Sequence, residues 1–388
     1  MNTLELREIR ATSPTLAETM RACMLRAGLS RAAGSSEFVL GNPKAWLGTA
    51  YHEVLEKVID VDLSKESLDI AVERLWSHAI SDQQRRATAH ALDCRFGSPT
   101  SWPGYYIARA SVQLRAQELC TGPNRANALG AKSAHGPRRS GGIREKEFDA
   151  FGGKLHGRPD VIRADEVIDY KSGVILEYDE SAQTDVVKAA YVRQLRIYGY
   201  LVKANLGWWP ARGLLLPLAG AGVEVELQPS ECEREATEAI ALHDSYNQKV
   251  LTGAALKDFA SPSPQACRWC AYKLICSVFW ETASPNWSGH LDGAAVEGPL
   301  LDTPSVIHAG VARAISVNIQ AGSEAQHRVQ ITPLNTTPHP SVATLALGER
   351  VRLVSLRVRP DGVLTPTQRT VLARVTDLPA VEPATEEA

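Results

Sequence analysis

The spacing of apolar positions along the chain predicts helices in its first two thirds and short strands between them. Apolar residues recur at three- and four-residue spacing over residues 13–29, 42–59, 185–205 and 230–251, and residues 66–120 are largely helical by the same pattern. Short apolar runs bounded by turn residues predict strands at 143–148, 153–155, 213–218 and 222–227. The alternation of the two element types indicates an α/β domain over residues 1–280.

The pattern changes after a stretch rich in Gly, Pro, Ser and Asn. Residues 281–302 have the composition of a linker, and short alternating runs follow at 312–319, 328–334, 350–358 and 371–375. Such spacing predicts a small autonomous β-barrel of the OB type over residues 303–376. The acidic end of the chain, residues 377–388, is predicted to be a disordered tail.

One predicted hairpin in the first domain delivers two acids and a lysine. Tyr170 lies in an apolar run that favours a strand, in which Asp169 and Lys171 project from the same face because they are two residues apart. Asp160 borders the preceding run, and residues 165–166 suit the turn between the two. We therefore expect Asp160, Asp169 and Lys171 to converge.

Two converging carboxylates repel each other unless a cation lies between them. Carboxylate oxygens and a backbone carbonyl are ligands that Mg²⁺ or Mn²⁺ prefers, and a nearby lysine can orient an attacking water. The alternative is an ordinary surface salt bridge between Lys171 and Asp160 or Asp169 on an exposed strand.

Composition places few further limits on function. The formal net charge of −2 provides no overall attraction to nucleic acid, so any such binding requires a local basic patch. The apolar fraction of 44% is ordinary for a globular protein, and neither a membrane span nor a signal peptide is evident. We expect a cytoplasmic protein. The segment 121–142, rich in Gly and Lys/Arg, is predicted to be either a flap that contacts phosphate or a solvated loop.

Three cysteines cluster in the spacing C-x₂-C-x₅-C at Cys267, Cys270 and Cys276. The odd total of seven cysteines argues against a secreted disulfide framework, so the cluster points to a metal centre. Zinc and an iron–sulfur cluster both accept four thiolates. The residues alone leave the fourth ligand open among four others: Cys23, Cys94, Cys120 and Cys232.

These segments together resemble the RecB-like branch of the PD-(D/E)XK nucleases, in particular members with a 4Fe–4S cluster. That group includes the CRISPR-associated adaptation nucleases and the AddB-type repair nucleases. The resemblance covers about residues 10–280. Its parts occur in the family's order: Cys23 on an early helix, Gly48-x-x-x-His52, Gly157-x-Pro159-Asp160, Asp169-x-Lys171, Gln194-x-x-x-Tyr198, and the three clustered cysteines.

The resemblance implies a mixed central sheet flanked by helices and closed by the cluster. It also implies a role for each matched position. His52, Asp160, Asp169 and the Tyr170 carbonyl would bind the divalent metal, and Lys171 would orient the water. Gln194 and Tyr198 would support the site or contact DNA. The cluster would lie on Cys23, Cys267, Cys270 and Cys276.

The implied activity is a divalent-metal-dependent deoxyribonuclease. It would act as an exonuclease on single strands or DNA ends, in DNA repair, recombination or phage and CRISPR defence. Two alternatives are a non-cleaving nucleic-acid-binding or assembly subunit and a redox sensor. The chain lacks a G-x-x-x-x-G-K-[ST] phosphate loop, so any helicase would be a separate partner. The C-terminal segment has an arginine-rich stretch, residues 350–359, but no aromatic residue, which leaves single-strand binding and protein docking both open.

Overall fold

The computed structural model describes residues 3–121, 142–163, 165–218, 220–324 and 327–383. The α-helices in these ranges are α1 (Pro14–Ala22), α2 (Met24–Leu29), α3 (Pro43–Val58), α4 (Leu68–Ala89), α5 (Tyr105–Thr121), α6 (Ala189–Leu206), α7 (Pro229–Leu251), α8 (Leu256–Phe259), α9 (Pro264–Arg268) and α10 (Ser277–Thr282).

The β-strands of the first part of the chain are β1 (Thr3–Leu6), β2 (Ile143–Arg144), β3 (Phe148–Ala150), β4 (Leu155–Gly157), β5 (Val161–Arg163), β6 (Glu166–Lys171), β7 (Leu176–Asp179), β8 (Thr184–Val187), β9 (Arg212–Pro217) and β10 (Val223–Glu226). Those of the last part are β11 (Ala294–Pro299), β12 (Ser305–Ile307), β13 (Ala312–Asn318), β14 (Ala321–Gly322), β15 (Arg328–Asn335), β16 (Arg350–Val358), β17 (Leu364–Thr365), β18 (Val371–Arg374) and β19 (Ala380–Pro383).

A mixed five-stranded sheet in the order β10-β9-β6-β5-β2 forms the centre of the first domain. β6 and β9 run parallel, whereas the other neighbours are antiparallel. Ile168 and Tyr170 of β6 pack into a core that includes residues of α3, α4 and α5. Val167, from the opposite face of β6, packs with α6 and α7. The mixed α/β architecture with helices on both faces is therefore confirmed.

Local sequence signals explain where several helices begin and end. Ser13 caps α1 by accepting a hydrogen bond from the Leu16 amide at 3.3 Å, and Asn42 caps α3 in the same way. The helix expected over 13–29 is interrupted at Cys23, whose extended backbone separates α1 from α2. The helix expected over 185–205 begins at Ala189, because residues 184–187 pair with β7 instead.

The C-terminal strands form a second sheet in the order β12-β13-β15-β17-β16-β11-β14, with β18 beside β16. Among the described residues this arrangement does not close into a ring, so an OB-type barrel stays a prediction. β11 lies inside the stretch with the composition of a linker, and it pairs with β16 through Val296 and Leu353. Glycine and proline, which give this stretch the composition of a linker, lie before the strand and at its C-terminal end, and most residues of the strand are buried.

The predicted tail also contains ordered structure, since β19 pairs in parallel with β1 at the start of the chain. The alternating residues of β19, including the half-buried Val381, suit a short strand despite their acidic neighbours. The segment expected to form a flap or loop, 121–142, lies outside the described residues except at its two ends. No helix in the described ranges is long and apolar enough to cross a membrane.

A shared hydrophobic core joins the C-terminal sheet to the N-terminal segment and the cysteine region. This core combines N-terminal residues such as Leu6 with Leu274 and Phe279 from the cysteine region. It also contains Val354 and Val371 of the C-terminal sheet. A separate core, which includes Val351 and Leu353, belongs to C-terminal residues alone. Because the shared core spans both parts, we expect the parts to stabilise each other.

Replacement of a side chain from the C-terminal core tests this expectation. Val351→Ala removes fully buried methyl groups and is expected to lower the unfolding free energy by about 1–3 kcal/mol. Five of the eight tryptophans pack in cores that contain no C-terminal residue, so tryptophan fluorescence reports mainly the unfolding of the first part of the chain: Trp46, Trp76, Trp102, Trp208 and Trp209. Coupled unfolding predicts that Val351→Ala lowers the thermal midpoint measured by this fluorescence. The exposed Leu347→Ala is the control and should leave the midpoint unchanged. A lower midpoint by circular dichroism with an unchanged fluorescence midpoint would show an autonomous domain.

Candidate active site

Backbone register aligns three acids across neighbouring strands. β5 and β6 pair Val161 with Ile168, so one further step of the same register sets Asp160 opposite Asp169. β2 and β5 pair Arg144 with Val161, and the Glu145 amide donates a hydrogen bond to the Asp160 carbonyl at 3.3 Å. The row Glu145–Asp160–Asp169 therefore crosses the sheet at one level.

Asp160 is largely buried at the end of the hairpin. Its Oδ2 accepts a hydrogen bond from the Tyr170 amide at 2.6 Å and lies 3.9 Å from His52 Nδ1. Burial raises the pKa of the Asp160 carboxyl, although the Tyr170 hydrogen bond and the charge of Lys171 oppose the increase. Burial lowers the pKa of His52, which favours the neutral imidazole that can bind a metal ion.

Asp169 and Lys171 form the most buried ion pair of this region, with Lys171 Nζ 2.5 Å from Asp169 Oδ2. Lys171 also donates a hydrogen bond to Gln194 Oε1 at 2.7 Å, and Gln194 Nε2 donates to the Tyr198 hydroxyl at 3.1 Å. Burial raises the pKa of Asp169, and the negative charge of Asp160 adds to the increase. Gln194 and Tyr198, which are four residues apart on α6, thus fix the position of Lys171.

Two glycines permit the close approach of elements at this site. A Cβ at position 48 of α3 would clash with Ser172. The glycine at this position therefore lets α3 approach the end of β6 and bring His52 to it. A Cβ at position 157 would meet Tyr198 at 3.0 Å as well as the side chain of Leu201. Close packing therefore explains why glycine occupies both of these motif positions.

Three contributing residues were not predicted from the sequence. Burial, followed by the charge of Asp160, raises the pKa of Glu145 to about 7, and Arg158 pairs with this carboxylate at 2.8 Å. Glu56 is one turn beyond His52 and adds negative charge near Asp160. The Tyr191 ring centroid lies 4.7 Å from Lys171 Nζ, a cation–π distance. Only Glu56 had a local signal, its four-residue spacing from His52, because the other two depend on tertiary pairing.

The donors at the hairpin fit a divalent cation. Asp169 is 3% exposed, and its Oδ2 pairs with Lys171 Nζ at 2.5 Å. A divalent cation bound to both carboxylates would neutralise the Asp160–Asp169 repulsion. The Tyr170 side chain packs in the core on the opposite face, while its amide orients Asp160. Its carbonyl stays a predicted ligand.

A second candidate group for a metal lies away from the hairpin. Glu53 on α3 and His78 and Asp82 on α4 place one ligand atom each within 4.8 Å of one another. Lys57 already pairs with Glu53 at 2.6 Å, and the group is partly exposed. A solvated set of this kind is common without an ion, so it serves below as a control.

The clustered cysteines meet Cys23 at a single cavity. Cys23, Cys267, Cys270 and Cys276 all line it, together with Arg26 and Lys273. Burial raises the pKa of the Cys267 thiol to about 11 and that of Cys276 to about 12, and neighbouring thiolates add to both increases. The other candidates for a fourth ligand lie elsewhere: Cys120 and Cys232 in two other cores, and Cys94 on the surface.

The chain was compared with known families, curated proteins and solved structures. The model of the PD-(D/E)XK nuclease superfamily matches residues 11–277. The chain belongs to this superfamily. No curated protein matches it. Among solved structures, one described as "Crystal structure of SSO0001" is similar to 58% of this chain and 84% of its own, with 15% identity and a TM-score of 0.23. Such similarity is too low to define the fold further.

Membership confirms the superfamily predicted from the motifs. It implies a nuclease that hydrolyses phosphodiester bonds and uses divalent metal ions. The matched range contains the hairpin, the residues that surround it and all four cysteines of the cavity. The RecB-like branch, the cluster and the individual metal ligands are finer predictions that the family match does not test.

Metal-dependent stability provides a test of the hairpin site. Without metal, the raised pKa values of Asp160 and Asp169 mean that stability falls as pH rises through the range in which they ionise. Bound metal requires the ionised carboxylates, so Mn²⁺ is expected to raise the thermal midpoint at about pH 8 and much less at about pH 5. Asp160→Asn should abolish the increase, and the matched control Glu53→Gln should retain it. The reverse pattern in these two variants would place the ion at the second group.

Proposed function

We propose that this protein is a divalent-metal-dependent DNA nuclease of the RecB-like branch that carries a 4Fe–4S cluster. The observation that supports the activity is the buried pair of Asp169 and Lys171 beside Asp160, with Gln194 holding the lysine. A subunit that only binds nucleic acid or assembles a complex does not need two adjacent buried carboxylates, because each of them lowers the stability of the folded chain.

Each residue of the site has a definable task. Asp160, Asp169 and His52 would hold the ion, which supplies Lewis acidity to the scissile phosphate and lowers the pKa of water. Lys171 is positioned to orient the attacking water and to offset negative charge on the phosphate as the bond to the leaving oxygen breaks. Gln194 and Tyr198 position the lysine, so they act through it and not on the substrate.

Single-stranded DNA or DNA ends are the proposed substrate, with exonuclease action in repair, recombination or defence. The resemblance to the RecB-like nucleases supports this part of the proposal. A separate helicase or defence-complex partner would contact the C-terminal sheet, and the cytoplasm is the proposed compartment.

The geometry of the four cysteines supports a cluster in preference to a zinc ion. Tetrahedral zinc, with sulfur at about 2.3 Å, would set the sulfurs about 3.8 Å apart. Among the described residues, no three of these cysteines have sulfurs within 4.8 Å of one another. A four-iron cluster separates its thiolates more widely, and either metal centre would hold buried thiols such as Cys276 as thiolates despite their raised pKa.

Substitutions in the hairpin test the proposed activity. Asp160→Ala, Asp169→Ala and Lys171→Ala are each expected to reduce cleavage of end-labelled DNA by about a thousandfold or more, because each removes a metal ligand or the water-orienting cation. Lys57→Ala removes an exposed lysine and serves as the matched control. The fold and DNA binding in EDTA should stay close to the wild type. Wild-type cleavage rates in Lys171→Ala with Mn²⁺ would contradict the proposed role of the lysine.

Iron content tests the cluster. Protein purified without oxygen is expected to be brown and to contain about four irons per chain. Cys23→Ser should lose the iron and lower the thermal midpoint, because the cluster joins segments that are distant in sequence. Cys94→Ser, whose thiol is exposed and does not line the cavity, should keep both. Stoichiometric zinc without iron in anaerobic protein would contradict the cluster.

A further inference from the structure

A second cavity lies between the cysteine region and the C-terminal sheet. Trp269, between Cys267 and Cys270, lies on its wall and is 53% exposed. Phe96 and Pro43 contribute further apolar surface, and Gln368 and Arg369 line it from the C-terminal part. An exposed tryptophan beside an open cavity offers a large aromatic surface to a ligand.

The cations around this tryptophan outnumber the acids that remain free. The Arg369 guanidinium lies 4.7 Å from the ring centroid of Trp269, and that of Arg268 lies 5.3 Å from it. Lys44 also lines the cavity, and neither Lys44 nor Arg268 forms an ion pair with any described residue. The nearby acids already have cationic partners: Asp93 pairs with Arg95, and Asp292 pairs with Lys273 and Arg369.

Helix α3 connects this cavity to the hairpin site. Lys44 lies in its first turn, Gly48 contacts Ser172 beside Lys171, and His52 lies 3.9 Å from Asp160. The four-residue spacing of Lys44, Gly48 and His52 sets all three along one side of the helix. Eight residues of α-helix span about 12 Å, a distance that a few nucleotides of single-stranded DNA can cover.

We infer that this cavity binds the bases and phosphates of single-stranded DNA whose scissile bond lies at the hairpin. A base would stack on the part of the Trp269 ring that Arg268 and Arg369 leave exposed, while Lys44 and Arg268 contact the neighbouring phosphates. Stacking on an aromatic ring combined with a basic groove is the usual means of binding single strands without sequence preference. This inference rests on the proposed function, since it deepens the nuclease site with a subsite for its substrate.

The chemistry favours single strands over the other ligands of a basic surface. A duplex keeps its bases stacked on each other, so the Trp269 ring would gain nothing from it. A protein partner that covered the tryptophan would need carboxylates to match Lys44 and Arg268, but would have no use for the connection along α3. The C-terminal Arg350 and Arg352 are not part of this surface, because both already pair with Glu297 at 2.5 and 2.8 Å.

Binding measurements on the full-length protein test the subsite. We would measure affinity for fluorescent oligo(dT) of about 15 nucleotides in EDTA, which prevents cleavage. Trp269→Ala is expected to bind roughly five- to a hundredfold more weakly, the range found for loss of one stacked base. Trp269→Phe should restore most of the affinity because it retains an aromatic face. Tyr106→Ala, which removes another exposed aromatic side chain on α5, is the matched control and should bind like the wild type.

A charge variant provides an independent measurement. Lys44→Gln should weaken binding and make its salt dependence shallower by about one phosphate contact. Iron content is measured in every variant, and only variants with the wild-type iron content are compared, since Trp269 adjoins Cys270. If Trp269→Ala loses iron, Lys44→Gln, which is remote in sequence from the cysteines, decides the question.

Three outcomes would overturn the inference. Unchanged affinity in Trp269→Ala with intact iron would exclude stacking, and an equal loss in Tyr106→Ala would show a nonspecific effect. Tighter binding of RNA than of DNA of the same sequence would assign the subsite to RNA. Failure of the proposed function is distinguishable, because wild-type protein would then leave DNA uncut in Mn²⁺. If the wild type cleaves while the variants bind normally, only the subsite is wrong.

Discussion

The register of the β5–β6 hairpin is the constraint on which the candidate site depends. Side chains alternate along a strand. A slip of one residue would therefore turn Asp169 toward the core formed with α3, α4 and α5, and Ile168 toward the opposite face of the sheet. The parallel pairing of β6 with β9 and the burial of Ile168 and Tyr170 hold this register. The Tyr170 amide then bonds Asp160, so the same strand that presents one carboxylate also orients the other.

The C-terminal sheet holds the cysteine region in place through buried polar contacts. Lys273 forms an ion pair with Asp292, and both side chains are almost completely buried. Arg352 donates a hydrogen bond to the Leu274 carbonyl at 2.8 Å, and its guanidinium lies 5.1 Å from the Trp280 ring centroid. Removing one partner of such a buried pair is more costly than the pair is stabilising. The basic stretch that suggested phosphate binding is therefore used in part within the protein.

Local pattern was sufficient for the elements and residues that carry their own signal. The periods of α3 and α7 and the Asp169-x-Lys171 spacing needed no tertiary information, and Gln194 and Tyr198 shared a helix face. Pairings between strands that are distant in sequence could not be predicted from the local pattern. β19 pairs with β1 across nearly the whole chain, and Glu145 joins the acidic row only through the β2–β5 register. The break at Cys23 was missed because its neighbours continue a helical pattern.

The cysteine cavity and the hairpin are connected by helix α1. Cys23 ends this helix, and Glu18 within it pairs with Arg193 of α6 through two hydrogen bonds of 2.6 and 2.7 Å. Arg193 precedes Gln194, the residue that holds Lys171. A centre bound at Cys23 would fix the end of α1, and the bidentate arginine pair would extend that constraint to α6. A route of contacts therefore runs from Cys23 to Gln194, and a metal centre at the cysteines would act on the position of Lys171 through it.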